Sequence, residues 1–271
     1  MSVVLALGGC TTDNLVSRYL LAERLWTEGK YPAAVQEFDR VTQMDPRGKT
    51  GLQALLRSAN TQNLFLKNYP EALKKYENYL ERAPQSPFAW ETKKQIGEIL
   101  YQKLEKYDQA LALYDEMLKS APNPEEAAGI HFRIAKSLFY LWRFPEAVSE
   151  FKGITKKFPQ THWADQAQYE WGMALYTQAA KMSAQEANRL YAQGIQVFRE
   201  LAQKKGVKLE LVVLAQFAEA SCLEEVGQLE EASTKYRAIL TSYPTPSVVQ
   251  IKLNRLKVRM KQSSTSGEVK Q

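Results

Sequence analysis

Residues 131–159 read HFRIAKSLFYLWRFPEAVSEFKGITKKFP, and the punctuation of this stretch decides the fold. Ile134, Ala135 and Leu138 fall on one face of a helix. Leu141 to Arg143 break that pattern, and Phe144, Ala147, Phe151 and Ile154 open a second helical face. Pro159 ends it, because proline has no N–H to donate and its ring clashes with the preceding turn. The stretch therefore predicts helix, turn, helix, stop.

The same signature, aromatic or apolar residue, Ala, aromatic and Pro at fixed offsets, recurs along the chain. Tyr31, Ala34, Phe38 and Pro46 carry it, as do Tyr69, Ala72, Tyr76 and Pro84, then Tyr107, Ala110, Tyr114 and Pro122. Leu229, Ala232, Tyr236 and Pro244 carry it last. Successive prolines lie 38, 38, 37 and then 85 residues apart. Inside the long gap Gly194, Phe198 and Leu201 take the small, aromatic and apolar positions, which puts the missing stop at Gly206. A fixed period of this kind marks a repeat array. Six units are expected, the fifth about ten residues longer through an insertion around Ala180 to Leu190.

Each position has a physical reason. A small residue is needed where two helices approach, since a larger one overpacks at a cost of about 1–3 kcal/mol. The aromatic four residues on shares that face and fills the adjoining space. Turns such as Glu28-Gly29-Lys30-Tyr31 and Glu225-Val226-Gly227-Gln228 use glycine for positive φ. The turns after Gly97 and in repeat two hold one extra residue. The expected fold is all-α, an α-solenoid of about six helix-turn-helix units with a C-terminal capping helix.

These residues resemble the tetratricopeptide repeat family. The units fall at about 15–46, 51–84, 88–122, 128–159, 165–206 and 213–244. The 37–38 residue period and links such as Phe158 to Ala164 are similar to those of bacterial outer-membrane assembly lipoproteins of the BamD and YbgF type. That resemblance implies a scaffold that binds a protein or peptide of an envelope assembly in a concave groove. A pilotin-like role in secretin or type IV pilus assembly is the alternative, as is a regulatory subunit of an envelope enzyme. The chaperone-binding carboxylate clamp is not expected, because its Lys and Asn positions fall on Tyr19 and Glu23.

The ends extend the reading. Residues 1–14 form a lipoprotein signal remnant and short tether: Leu7-Gly8-Gly9-Cys10 resembles a lipobox, with Cys10 the acylated residue. The leader has nine residues before Cys10 and no Lys or Arg, so the true start lies upstream or the chain is trimmed. Thr11 in place of Asp implies sorting to the outer membrane, with the protein on its periplasmic face. Residues 245–262 are the capping helix, with Val249, Leu253, Leu256 and Met260 on one stripe and basic residues between them, and 263–271 are a disordered tail. That helix also offers a docking surface for an acidic partner or anionic lipid.

Other chemistry is excluded residue by residue. The net charge of +6 is concentrated after residue 248 and lacks the aromatic-interleaved stripe of a nucleic-acid binder. Arg47-Gly48-Lys49-Thr50 lacks the leading glycine and the strand of a phosphate loop, and reads as an inter-repeat link. His131 and His162 have no neighbours at metal or triad spacing, and Cys222 reads as an inert core residue. Glu224, Glu225, Glu230 and Glu231 read as a solvated helix end. No enzyme, cofactor, metal or small-molecule substrate is expected.

The candidate binding residues come from aligning first helices. Tyr19, Phe132, Tyr169 and Phe217 share one position, and Trp26, Tyr101, Phe139 and Tyr176 another two turns on. The repeat architecture implies that this side faces inward as an aromatic ladder for a partner segment. The bland alternative is that the rings pack within the repeats.

Overall fold

The structure, a computed structural model, describes residues 9–268, with side chains from 14 to 262. The expected lipidation site, Cys10, lies outside the residues whose side chains are described. Among the described residues there are thirteen α-helices and no strand. They pair as hairpins: α1 (Gly9–Thr27) with α2 (Tyr31–Met44), and α3 (Lys49–Leu64) with α4 (Tyr69–Arg82). α5 (Ala89–Glu98) runs on through a π-helical turn, Ile99–Lys103, towards α6 (Tyr107–Leu118). Then follow α7 (Pro124–Tyr140) and α8 (Phe144–Lys157), α9 (Trp163–Ala179) and α10 (Ala184–Gln203), α11 (Leu209–Glu225) and α12 (Leu229–Ile239), and the single α13 (Pro246–Glu268).

The chain forms two compact units, Met1–Leu113 and Tyr114–Gln271, divided within α6. In the first, α1 to α4 pack each on the next around Ala22, Ala34, Phe38, Val41 and Ala54. In the second, α7 to α13 do the same, with α13 closing the end: Val249 and Leu256 are buried in the core of α11 and α12, and Leu253 and Met260 pack beside them. The chain continues as helix through Ser263 to Glu268, where a disordered tail was expected.

The small-residue column behaves as its chemistry requires. Ala34, Ala72, Ala110, Ala147 and Ala232 are all fully buried. A second column lies on the first helices at Ala22, Ala59, Gly97, Ala135, Gly172 and Ala220. A Cβ added at Gly172 would meet the Phe198 ring at 2.5 Å, and one at Gly194 would meet Cys222 Sγ at 3.2 Å, so the two glycines make room for a ring and a thiol.

The hairpin turns correct one expectation. Their left-handed residues are Gly29, Lys67, Glu105, Trp142 and Gly227, each two residues before the second helix, and three of the five are not glycine. Such residues carry strain of about 1–2 kcal/mol that the packed hairpin holds in place. The backbone bond that closes the turn differs with the period. Lys30, Arg143 and Gln228 donate to the carbonyl five residues back, Leu25, Leu138 and Leu223. Asn68 and Lys106 donate six residues back, to Gln62 and Leu100, which accommodates the extra residue in repeats two and three. In repeat three the same residue also appears as the π-helical turn.

Candidate functional site

The eight ladder rings are all half-buried. They follow a pairing rule inside each hairpin. Tyr19, Phe132 and Phe217 meet the rings of Phe38, Phe151 and Tyr236, each nineteen residues on, at centroid distances of 5.8, 5.6 and 5.3 Å. Tyr169 meets Phe198 at 5.8 Å, twenty-nine residues on, the difference being the ten-residue insertion. The second tier pairs Trp26 with Tyr31, Tyr101 with Tyr107, Phe139 with Phe144 and Tyr176 with Tyr191. Phe38, Phe151, Phe198 and Tyr236 are fully buried, so each first-tier ring lays one edge against its own hairpin core and keeps the rest outside.

What covers the outer part differs along the chain. In the first unit the Arg57 guanidinium lies 4.5 Å over Trp26 and donates from Nε to Glu23 at 2.7 Å. Burial and the neighbouring Glu23 carboxylate raise the pKa of Tyr19. In the second unit Phe132 is flanked by Trp163 at 5.0 Å, and Phe139 lies under Lys136, whose ammonium pairs with Glu170 at 3.0 Å.

Tyr169, Tyr176 and Phe217 come together around one cavity of about 360 Å³. Met173 of α9, Ala218 and Ser221 of α11, Tyr243 of the link after α12, and Lys252 of α13 complete it. First helices of two consecutive repeats and the capping helix thus form its walls. Phe217 and Tyr243 stack at 4.5 Å and 24°. Burial pushes the phenols of Tyr169 and Tyr176 up to about 12, with Glu170 and Glu225 adding to the effect, so both are neutral hydrogen-bonding groups at physiological pH. Ser221 Oγ is already engaged by the Phe217 carbonyl and the Tyr236 hydroxyl. A cavity of this size, ring-lined with few polar groups, suits a side chain of a binding segment.

Beside it lies a feature that the sequence pattern does not announce. Glu224 is fully buried rather than solvated, and it receives Lys252 at 3.0 Å and Arg255 and Arg259 at 3.1 Å each, all from α13. Glu219, also fully buried, receives Arg199 at 2.8 Å and Lys235 at 2.9 Å. A carboxylate without side-chain partners could not be held at such positions. The basic side of α13 is therefore tied inward in part. The only available signal was the excess of cations in the capping helix.

The remaining candidates have structural surroundings. His131 Nδ1 lies 2.9 Å from Glu150, and His162 pairs with Glu125. The buried Cys222 thiol is pushed up to about 12, chiefly by burial, which makes it a poor nucleophile. At the Arg47-to-Thr50 link, Gly51 N donates to Asp45 at 3.1 Å, so a carboxylate of the chain takes the start of α3. Among the described residues no group of three or more His, Cys, Asp or Glu is arranged to hold a metal ion, and no helix is long and apolar enough to cross a membrane.

A family model described as tetratricopeptide repeat matches residues 19–87, 64–125 and 99–162, together more than half of the chain. Comparison with curated proteins returned no match. Among solved structures, a tetratricopeptide repeat protein from Parabacteroides merdae is similar at TM-score 0.54 and 14% identity, over 94% of this chain and 89% of that one. A signal transduction ATPase with a tetratricopeptide repeat sensor from Pyrococcus horikoshii gives 0.58 and 14% over 92% of this chain, but 39% of its own length. Pseudomonas aeruginosa pilF gives 0.50 and 14% over 92% and 99%. At these identities the likeness is one of fold.

Proposed function

The chain belongs to the tetratricopeptide repeat family, and from that premise we propose that it is a non-catalytic scaffold whose first-helix side receives a segment of a protein partner. The observation that carries this reading is the cavity between α9, α11 and α13, where three ladder rings leave part of their surface open. Aromatic side chains make effective anchors because they bury a large area with few rotors to freeze. The setting we propose is bacterial envelope assembly, with the chain held on the periplasmic face of the outer membrane by acylation of Cys10. Two or more acyl chains would give stable anchoring where one would be marginal. The motif Leu7-Gly8-Gly9-Cys10 supports the anchor, and the 37–38 residue period supports the assembly role. A pilotin-like role is the second reading, and the likeness to pilF, which is one of fold, keeps it in view.

Crosslinked affinity purification from membranes, with the gene expressed from its native upstream region, tests both parts. A β-barrel assembly protein recovered with the wild type but lost with Phe217→Ala, at unchanged melting temperature, supports the assembly reading. A secretin recovered instead supports the second. Equal recovery with the variant places the partner away from the rings. Retention of Cys10→Ser in the membrane fraction with unchanged detergent partitioning removes the lipid anchor.

A further inference from the structure

The cavity of the second unit has a polarity that the ring positions alone do not disclose. Four rings around one space (Tyr169, Tyr176, Phe217 and Tyr243) could in principle form a cage for a cation, since ring faces carry negative potential. The charges around them argue otherwise. Lys252 lines the cavity, and its ammonium shares one carboxylate, Glu224, with Arg255 and Arg259. Even without Arg259, one buried negative charge faces two positive ones, Lys252 and Arg255. The geometry also separates them: the Glu224 side chain is 0% exposed, while those of Lys252, Arg255 and Arg259 are 22, 57 and 37% exposed. Solvent, or an incoming ligand, meets the cations and not the acid.

The other acids near the cavity do not cancel this. Glu170, next to Tyr169, is held by Lys136 at 3.0 Å. Glu219 is buried beneath Arg199 and Lys235. Glu225 is exposed and acts on Tyr176, which gives the cavity a negative influence at that end. The site is therefore polarised, with rings in the middle, cations on the α13 side and one acid by Tyr176. Met173 supplies an unbranched wall that adapts to the shape of what enters.

We propose that this cavity selects a partner segment carrying a large apolar side chain beside a carboxylate, with the side chain among the rings and the carboxylate turned towards Lys252 and Arg255. The proposal rests on the scaffold reading above and adds the chemistry of the occupant. Long-range attraction brings an acidic segment to this face, and the ring contacts hold it. A lysine in the same place would meet an excess of like charge and is rejected. Specificity of this sort comes from repulsion as much as from attraction.

A phage-displayed library of random heptapeptides, selected on the full chain and counter-selected on Phe217→Ala, tests this whatever the identity of the partner. The expected result is enrichment of clones with Phe, Tyr, Trp or Leu next to Asp or Glu. Their synthetic peptides should bind the wild type, lose binding to Phe217→Ala, and bind Arg255→Gln about tenfold more weakly, as for one lost charge-assisted hydrogen bond. Circular dichroism melting of each variant shows whether the fold is kept, and if Phe217→Ala is unstable, Tyr243→Ala takes its place. Enrichment of basic clones, clones indifferent to charge, or no clone that distinguishes wild type from the ring variants each overturns the proposal. The scaffold reading is judged separately by the crosslinked capture: a partner lost on ring substitution together with charge-indifferent clones refutes the occupant chemistry alone.

Discussion

Replacing Glu224 with glutamine tests how the last helix is held. The side chain is 0% exposed, and three cations of α13 reach it at 3.0 to 3.1 Å. Glutamine keeps the shape and one acceptor oxygen but removes the charge, leaving three cations crowded around a neutral group. Removing one partner of a buried ion pair costs about 3–5 kcal/mol. Here the cations keep part of their hydration, so the cost falls at the lower end, about 3 kcal/mol. For a protein of this size each kcal/mol is worth about 2–4 °C, which predicts a melting temperature lower by about 6–12 °C. Burial of Val249 and Leu256 contributes about 1.5–3 kcal/mol each, so α13 is loosened rather than released. Hydrogen exchange resolved by peptide should show residues 246–262 exchanging roughly a hundredfold faster, with α7 and α8 little changed. Arg255→Ala is the reference: its side chain is 57% exposed, and its loss should cost less than about 1 kcal/mol. If Glu224→Gln melts within about 2 °C of the wild type, apolar contact alone holds the helix and the electrostatic reasoning is wrong.

Three further predictions follow from the packing. Ala147→Trp, at a fully buried helix crossing, should destabilise by several times more than Ser149→Trp on the exposed side of the same helix; equal melting shifts would refute the register of repeat four. Phe132→Ala removes a half-buried ring between Phe151 and Trp163 and should cost about 2–3 kcal/mol, so a neutral melting curve would show that this ring is not part of the hairpin core. Tyr169 and Tyr176 have phenols raised from 10 to about 12, so the stability this represents is present in full below pH 10 and is lost as pH rises through about 12. Spectrophotometric titration should show tyrosinate forming late and together with unfolding; ionisation of all tyrosines near pH 10 in the folded protein would contradict the burial.

The repeats were legible because every unit solves the same problem with the same residues. Ala, aromatic and Pro at fixed offsets in Phe144 to Pro159 specify a close crossing, its filling and its end, and the gap between Pro159 and Pro244 disclosed the insertion. The rings were found by the same alignment. Their partners were also within reach, since Tyr19 to Phe38 and Phe132 to Phe151 share one spacing, which speaks for packing within hairpins. Glu224 was not legible, because its burial depends on Lys252 and Arg259, 28 and 35 residues away, and no local pattern marks a carboxylate that distant cations will cover. The turns misled for a different reason: Lys67, Glu105 and Trp142 occupy a conformation that glycine prefers, because the closing backbone bonds and the packed helices impose it. Cavities of the kind lined by Tyr243 and Lys252 arise only when the end of one repeat is set against the helix that follows the array.

The insertion in repeat five has a mechanical consequence. Because both of its ring pairs are kept, Tyr169 with Phe198 and Tyr176 with Tyr191, the ten added residues lie entirely beyond the second pair, shared between the end of α9, the turn and the start of α10. Seven of them precede Tyr191 in α10, where α8 begins at Phe144 itself, so at 1.5 Å of rise per residue this arm is about 10 Å longer than its counterpart. The overhang is a spur built mainly from the first two turns of α10, and Lys181 at its tip rests 3.1 Å over the Trp142 ring of the preceding turn. Evolution can lengthen, trim or re-surface such a spur in whole helical turns without disturbing a single crossing beneath it, which makes it the place on this unit where a new contact could be gained at least risk to the fold.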